Sequence, residues 1–371
     1  QAGEAEDLYR QSLTIAERLA EAEPGNAEFA RGLSISYDRL GDLAVSSGQA
    51  GEAEDLYRQS LTIAERLAEA EPGNAEFARD LSISYDRLGN LAVSSGQAGE
   101  AEDLYRQSLT IRERLAKAEP GNTVYARDLS VSYNKLGDLA VSSGQAGEAE
   151  DLYRQSLTIR ERLAKAEPDN TVYARGLSVS YNKLGDLAVS SGQAGEAEDL
   201  YRQSLTIAER LAKAEPDNTV YARDLSVSYN KLGDLAVSSG QAGEAEDLYR
   251  QSLTIAERLA KAEPDNTVYA RDLSVSYECL GSICLSDERA SQAAQWFQRA
   301  ASMRRRLYEQ EPFRTDLAEE LGVAIVLLSQ TGQDEGDAAR EVITLLDPFE
   351  RAGALTSKGV ALLAWARETP L

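Results

Sequence analysis

The sequence predicts an all-α solenoid, a stack of antiparallel helix pairs without strands, and three observations carry that expectation. A 48-residue string occurs six times in succession with few changes. Within each copy the apolar residues fall at three- and four-residue steps, the spacing of one helix face. Between the stripes stand Pro-Gly-Asn or Pro-Asp-Asn on one side and Ser-Ser-Gly on the other, which are turn and cap residues. A chain of 371 residues exceeds what one core usually serves. No linker rich in Pro, Gly or Ser divides it, and repetition resolves the conflict: each copy need touch only its neighbours.

The second copy, residues 49–96, shows how each element is specified. Ala53, Leu56, Tyr57, Ser60, Ile63, Leu67 and Ala70 share one stripe and predict a helix over about 51–70. Glu52, Glu54 and Asp55 crowd its first turn, where negative charge suits the helix dipole. Pro72 ends it, and Gly73-Asn74 supplies a turn and a cap for the next helix. That second helix carries Phe77, Leu81, Ser84, Leu88, Leu91 and Ser95 on one stripe, with Ala78, Tyr85, Gly89 and Ala92 beside it. Two adjacent stripes imply two neighbours. Gly96 stands where a left-handed closing residue is wanted.

The copies fill residues 1–288. Copies one and two differ only at Gly32/Asp80 and Asp42/Asn90, and copies five and six agree through Tyr277. Other swaps change charge or size, such as Ala64 against Arg112, Glu69 against Lys117 and Glu76 against Val124, so those positions are expected at the surface. Block changes such as Ala-Glu-Phe to Thr-Val-Tyr read as recent duplication with unequal copying rather than as a designed consensus array. Gln1 falls at the first position of a repeat rather than at a start Met, which leads us to expect a piece of a longer protein. Regularity fails at Glu278. Residues 289–336 keep the skeleton of a degenerate seventh repeat, with Trp296-Phe297 in place of Leu-Tyr. Residues 337–371 offer one helix before Pro348 and another containing Leu355, Val360, Leu362, Leu363 and Trp365. Divergence at the end is expected of a capping element.

Tyr37, Leu40, Gly41, Ala44, Gly48, Ala53, Tyr57, Ser60 and Leu61, repeated along the chain, resemble the tetratricopeptide repeat motif: aromatic, Leu-Gly, small, Gly, Ala, aromatic, small. The period departs from the usual 34 residues of that family. About seven extra residues per helix make nearly two further turns, which keeps the stripe in phase. The long-helix repeats of kinesin light chains are the most similar, particularly to EAEDLYRQSLTIRERLA at 100–116. The resemblance implies a right-handed superhelix. The motif also has its own logic: Gly41 and Ala53 are small where two helices approach closely, and Tyr37, Leu40 and Tyr57 fill the space around that contact. A Gly inside a helix costs about 1 kcal/mol relative to Ala, so its recurrence marks a close approach.

Several function classes are disfavoured. The chain has no His, which removes the commonest general base and metal ligand, and no Gly-rich phosphate loop follows a predicted strand. No catalytic residue, metal or cofactor is expected. A formal charge of −23 repels nucleic acid and anionic lipid, and no apolar run is long enough to span a membrane, so the chain reads as cytoplasmic. Cys279 and Cys284 lie five apart on one helix and cannot pair; they read as small core or surface residues. Glu100, Glu102 and Asp103 read as a solvated helix start, and Arg304, Arg305 and Arg306 as a charged face paired with nearby Glu.

What remains is binding. The resemblance implies a concave groove lined by the first helix of each motif, at positions that here carry Val131, Asn134, Asp138, Val141 and Ser142. The next copies present Val179, Asn182, Asp186, Val189 and Ser190, then Val227, Asn230, Asp234, Val237 and Ser238. Such rows can bond the backbone of an extended peptide and offer shallow apolar contact. An unoccupied wet face is the plainer account. The Lys and Asn needed by the family's clamp for acidic peptide termini are replaced here by Asn134 and Asp138, so a non-acidic protein or peptide is the expected partner. The function expected is a non-catalytic interaction scaffold within a larger protein. Rival readings are a self-assembling array stacked end to end, or the sensor arm of an NTPase or protease-like effector.

Overall fold

The computed structural model describes residues 2–332 and 334–370, with side chains from residue 6 onward. Gln1, to which the expectation of a longer parent chain attaches, lies outside the described residues, as do Gln333 and Leu371. The described residues form sixteen helices and no strand. They are α1 (Ala2–Ala22), α2 (Ala27–Ser46), α3 (Ala50–Ala70), α4 (Ala75–Ser94), α5 (Ala98–Ala118), α6 (Thr123–Ser142), α7 (Ala146–Ala166) and α8 (Thr171–Ser190), followed by α9 (Ala194–Ala214), α10 (Thr219–Ser238), α11 (Ala242–Ala262), α12 (Thr267–Ser286), α13 (Ala290–Gln310), α14 (Thr315–Ser329), α15 (Glu335–Arg351) and α16 (Ser357–Glu368). The chain is an all-α repeat solenoid.

The helix boundaries follow from local chemistry. Each even helix from α2 to α12 opens on an asparagine. At α6 the Oδ1 of Asn122 accepts from the backbone N–H of Val124 and Tyr125 at 3.0 and 3.3 Å, which satisfies two donors that the first turn leaves free. Closure comes from Gly144, whose φ of 73° is a left-handed value that an L side chain rarely adopts. The turn lets Gln145 N–H return to the Ala140 carbonyl at 2.8 Å and leads straight into α7.

Packing between consecutive helices turns on one contact. A Cβ on Gly137 would overlap the Tyr153 ring, and Gly41, Gly89, Gly233 and Gly281 meet Tyr57, Tyr105, Tyr249 and Phe297 in the same way. Glycine therefore lets α6 lie against the aromatic ring of α7, with Ala149 wholly buried beside it. The expected role of the Leu-Gly pair holds.

The chain divides into two compact units, residues 1–187 and 188–371. The first is built of the repeats alone. In the second, the helices from α14 onward form a core of Ala318, Leu321, Ile325, Val342, Leu346 and Leu363. The buried carboxylate of Glu319 accepts from the Thr356 N–H at 2.8 Å and its hydroxyl at 2.7 Å, tying down the start of α16. Pro348 does not end a helix as expected: α15 runs through it to Arg351. Placed in the last turn, a proline forfeits one hydrogen bond, and the turn is still closed by Ala352 N–H on the Pro348 carbonyl at 3.2 Å. Leu355 lies just ahead of α16 rather than within it. Both cysteines are free, Cys284 buried and Cys279 half-buried. Burial pushes the Cys279 thiol up to about 12. No described helix is long and apolar enough to cross a membrane.

Candidate partner-binding face

The even helices α6, α8 and α10 carry the three rows expected to meet a ligand, and the structure separates those rows by burial. Val141, Val189 and Val237 are exposed at 45%, 43% and 46%, and Ser142, Ser190 and Ser238 lie exposed beside them. Asp138, Asp186 and Asp234 are also exposed, while Val131, Val179 and Val227 are half-buried. The C-terminal half of each even helix thus presents an edge of Asp, Val and Ser to solvent.

The aspartates are not free charges. Asp138 accepts from the Tyr153 hydroxyl at 2.6 Å and from Lys183 Nζ at 2.5 Å, one copy further on. Asp42 is held in the same way by the Tyr57 hydroxyl at 2.7 Å and by Arg87 at 2.8 Å. Burial first, and then the aspartate beside it, holds the Tyr153 phenol far above its ordinary range. In the second copy Asn90 replaces the carboxylate and keeps both bonds, from Tyr105 at 2.8 Å and Lys135 at 2.9 Å. The row staples successive copies together, and its charge is largely spent on that.

The asparagine row corrects the sequence reading. Asn134 is 5% exposed and points into the junction of α6 and α7 rather than at a groove. With its amide oriented to suit its neighbours, the nitrogen donates to Ser156 Oγ at 2.8 Å and the oxygen accepts from Arg160 Nη2 at 3.0 Å. Asn182 and Asn230 are half-buried, and among the described residues their Oδ1 atoms find no donor. A second correction concerns the swap of Ala64 for Arg112, read above as a surface change: both residues are buried. Arg112 is 5% exposed, pairs with Asp86 at 2.8 Å and donates to Ser82 Oγ, Ser132 Oγ and the Asp128 carbonyl. Every arginine at this position has a polar partner in the preceding copy. The position held by Asp86, Asn134 and Glu278 faces, 26 residues on, that of Arg112, Arg160 and Arg304. Glu69, Lys117, Glu76 and Val124 are exposed, as expected.

Other charged groups behave as the sequence suggests. Glu100 and Glu102 meet Arg58 at 2.9 Å and Arg106 at 2.7 Å on exposed surface. Arg305 pairs with Glu341 at 2.5 Å and Arg306 approaches Asp265 at 4.0 Å, whereas Arg304 is buried against Glu278. On the odd-helix side of the first unit, clefts of about 530, 560 and 390 Å³ recur at 48-residue intervals. Leu33, Leu81 and Leu129 line them, between a glutamate-bearing helix and the arginines Arg66, Arg114 and Arg162.

Comparison with known proteins then places this geometry. A tetratricopeptide repeat model matches residues 35–72, 83–120, 129–169, 177–217 and 225–265, more than half of the chain. The chain belongs to the tetratricopeptide repeat family. Each match begins in an even helix and runs through the following odd helix, so the tetratricopeptide unit straddles the 48-residue string as the Leu-Gly motif does. Among solved structures, BtubC from P. vanneervenii is similar at 21% identity with a TM-score of 0.55, over 71% of this chain and 93% of that one. A signal transduction ATPase with numerous domains and a tetratricopeptide repeat sensor, from Pyrococcus horikoshii, is similar at 14% identity with a TM-score of 0.51, over 93% of this chain. This chain spans 50% of that protein's length. A putative kinesin light chain from Podosopora anserina is 22% identical with a TM-score of 0.42, over 62% of this chain and 95% of that one. These likenesses are of fold. Comparison with curated proteins gives no match.

Proposed function

We propose that this tetratricopeptide repeat chain is a non-catalytic scaffold that holds a protein or peptide along the exposed edge of its even helices. The observation that supports the reading is the repeated exposure of Val141, Val189 and Val237 beside serine and an aspartate already engaged by Tyr and Lys. Modest apolar contact on each copy suits a partner gripped at several weak points, whose total affinity grows by effective concentration. The net charge of −23 favours a partner that is not itself strongly acidic.

The asparagines leave this reading and the valines take their place. Substituting Val141, Val189 and Val237 together with Asp is expected to abolish capture of the partner in a pull-down, while single substitutions weaken it little. Full retention by the triple variant would move binding to another face.

End-to-end stacking is a second reading, favoured by one comparison. Helices α1 and α3 have the same sequence, yet Leu19 on α1 is 42% exposed where Leu67 on α3 is 8% exposed. On α3 the equivalent leucine packs against Ala30 of α2 and Phe77 of α4, so the α1 face would take a helix of the α2 kind, whether from the same chain or from another copy. Light scattering against concentration tests it: a mass that stays monomeric to high concentration removes this reading and leaves the scaffold reading intact.

A further inference from the structure

One arginine position of the even helices tracks the acids of the following copy, and in the middle of the chain that pairing runs out. Arg31 meets two carboxylates, Glu76 at 2.7 Å and Asp80 at 2.6 Å. Arg79 meets one, Asp128 at 2.6 Å, because Val124 stands where Glu76 does. Arg127 meets none among the described residues: the same two positions hold Val172 and Gly176. Further along the chain the same position is paired, Arg223 with Asp272 at 2.5 Å and Arg271 with Asp316 at 3.1 Å and with Glu320.

A second cation lies at the same junction and lacks a carboxylate for an independent reason. Where Arg112 has Asp86, Arg160 has the neutral Asn134. Its remaining bonds also go to neutral acceptors, Ser130 Oγ at 3.1 Å and the Gly176 carbonyl at 2.5 Å. Asp138, whose charge acts on Arg160, is bonded by Tyr153 and Lys183. Burial, reinforced by the charge of Arg127 and only partly offset by Asp138, pushes the Arg160 guanidinium down to about 10. Beside Arg160 there is room. The atoms nearest to a Cβ on Gly176 would be those of Arg160, at 3.7–3.9 Å, which is ordinary contact.

We propose that Arg127 and Arg160 form, at Gly176, a site for one carboxylate, the acidic side chain or terminal carboxylate of a peptide, occupying the place that Asp128 holds one copy earlier. Arginine forks suit a carboxylate's two oxygens. The site lies in a chain of net charge −23, so it selects one placed acid rather than a polyanion. The inference does not rest on the valine edge. Arg127 lies eleven positions before Asp138, three helical turns along the same stripe, so a peptide on that edge could also reach it.

The test uses the whole chain and sodium acetate, with sodium chloride at equal ionic strength as reference. Arginine Nε–Hε resonances are followed by NMR. In the unchanged chain, acetate is expected to shift two of these resonances saturably where chloride does not. Gly176→Asp supplies the carboxylate internally, and it should raise the melting temperature in chloride and abolish the acetate response. Arg127→Gln, at an exposed position, should weaken the response at least tenfold without changing the fold. N-acetylglycine and N-acetylaspartic acid N-methylamide separate a terminal carboxylate from a side-chain one, the tighter binder naming the source. Equal response to acetate and chloride, or an acetate response that survives Gly176→Asp, overturns the proposal.

Discussion

At the residue scale, neighbours in sequence can carry unlike burdens. A methyl group on Gly137 would overlap the Tyr153 ring, whereas Asp138 is exposed, and its counterpart Asn90 makes the same two bonds. Gly137→Ala is therefore expected to cost about 1–3 kcal/mol, the usual result of overpacking. Asp138→Asn should stay within about half a kcal/mol, both read from urea unfolding. Asp38 gives a pH-dependent counterpart. Its carboxylate faces Ala64 where Asp86 has Arg112, its Oδ1 has no partner among the described residues, and burial raises its pKa even though Arg87 sits 3.1 Å away. A raised carboxylate pKa means the folded state holds the proton more tightly than the unfolded one. Ionised Asp38 then costs stability near neutral pH, and the cost fades as pH falls through the folded pKa towards the unfolded value. Asp38→Asn, the residue of copies three to five, should raise the melting temperature at pH 7 and leave it unchanged at pH 3. An equal gain at both values would show that the charge is not the cause.

At the element scale, the two helices of a repeat begin in different ways. Asn122 caps α6 with bonds to two backbone donors, while Gln145 ahead of α7 makes no side-chain cap bond. Loss of the asparagine oxygen leaves two donors without a protein partner, so Asn122→Ala should cost about 1 kcal/mol. Gln145→Ala should cost next to nothing, and circular dichroism against urea compares the two directly. The odd helices depend on what they pack against: α3 stands on α2 through Tyr57 and Gly41, and its start needs only the left-handed turn at Gly48.

At the scale of the whole molecule, the repeat is a unit of register. Removing residues 49–96 joins Gly48 to Gln97 in the sequence context found at every junction. It also brings Asp38 to the position from which Asp86 pairs with Arg112, so the buried ion pair is rebuilt. The shortened chain should unfold cooperatively, with a urea m-value reduced in proportion to its length. Removing 34 residues instead shifts every later stripe against its neighbour and should broaden the transition. If the two deletions melt alike, the 48-residue register is not what holds the stack.

Much of this was legible in the sequence because it is local or periodic. The Asn caps, the left-handed Gly and the close approach at the Leu-Gly pair each depend on residues near one another in sequence, the 48-residue period on plain repetition, and all appear as read. Where reading failed, the deciding partner lay far along the chain. Asn134 and Arg112 look like surface residues by type, and the structure buries both, because a polar group can enter a core once another arrives to bond it. The partner of Asp86 comes from 26 residues on and that of Asp138 from 45, and helical periodicity carries no information over such distances. Pro348 shows the same limit in miniature: proline reads as a stop, yet in a last turn it loses one bond while Phe349 beyond it packs into the core around Val342 and Leu346. Sequence alone determined the kind of repeat and its ends; only the stacking of one copy on the next decided which polar residues face solvent and which bind the copies together.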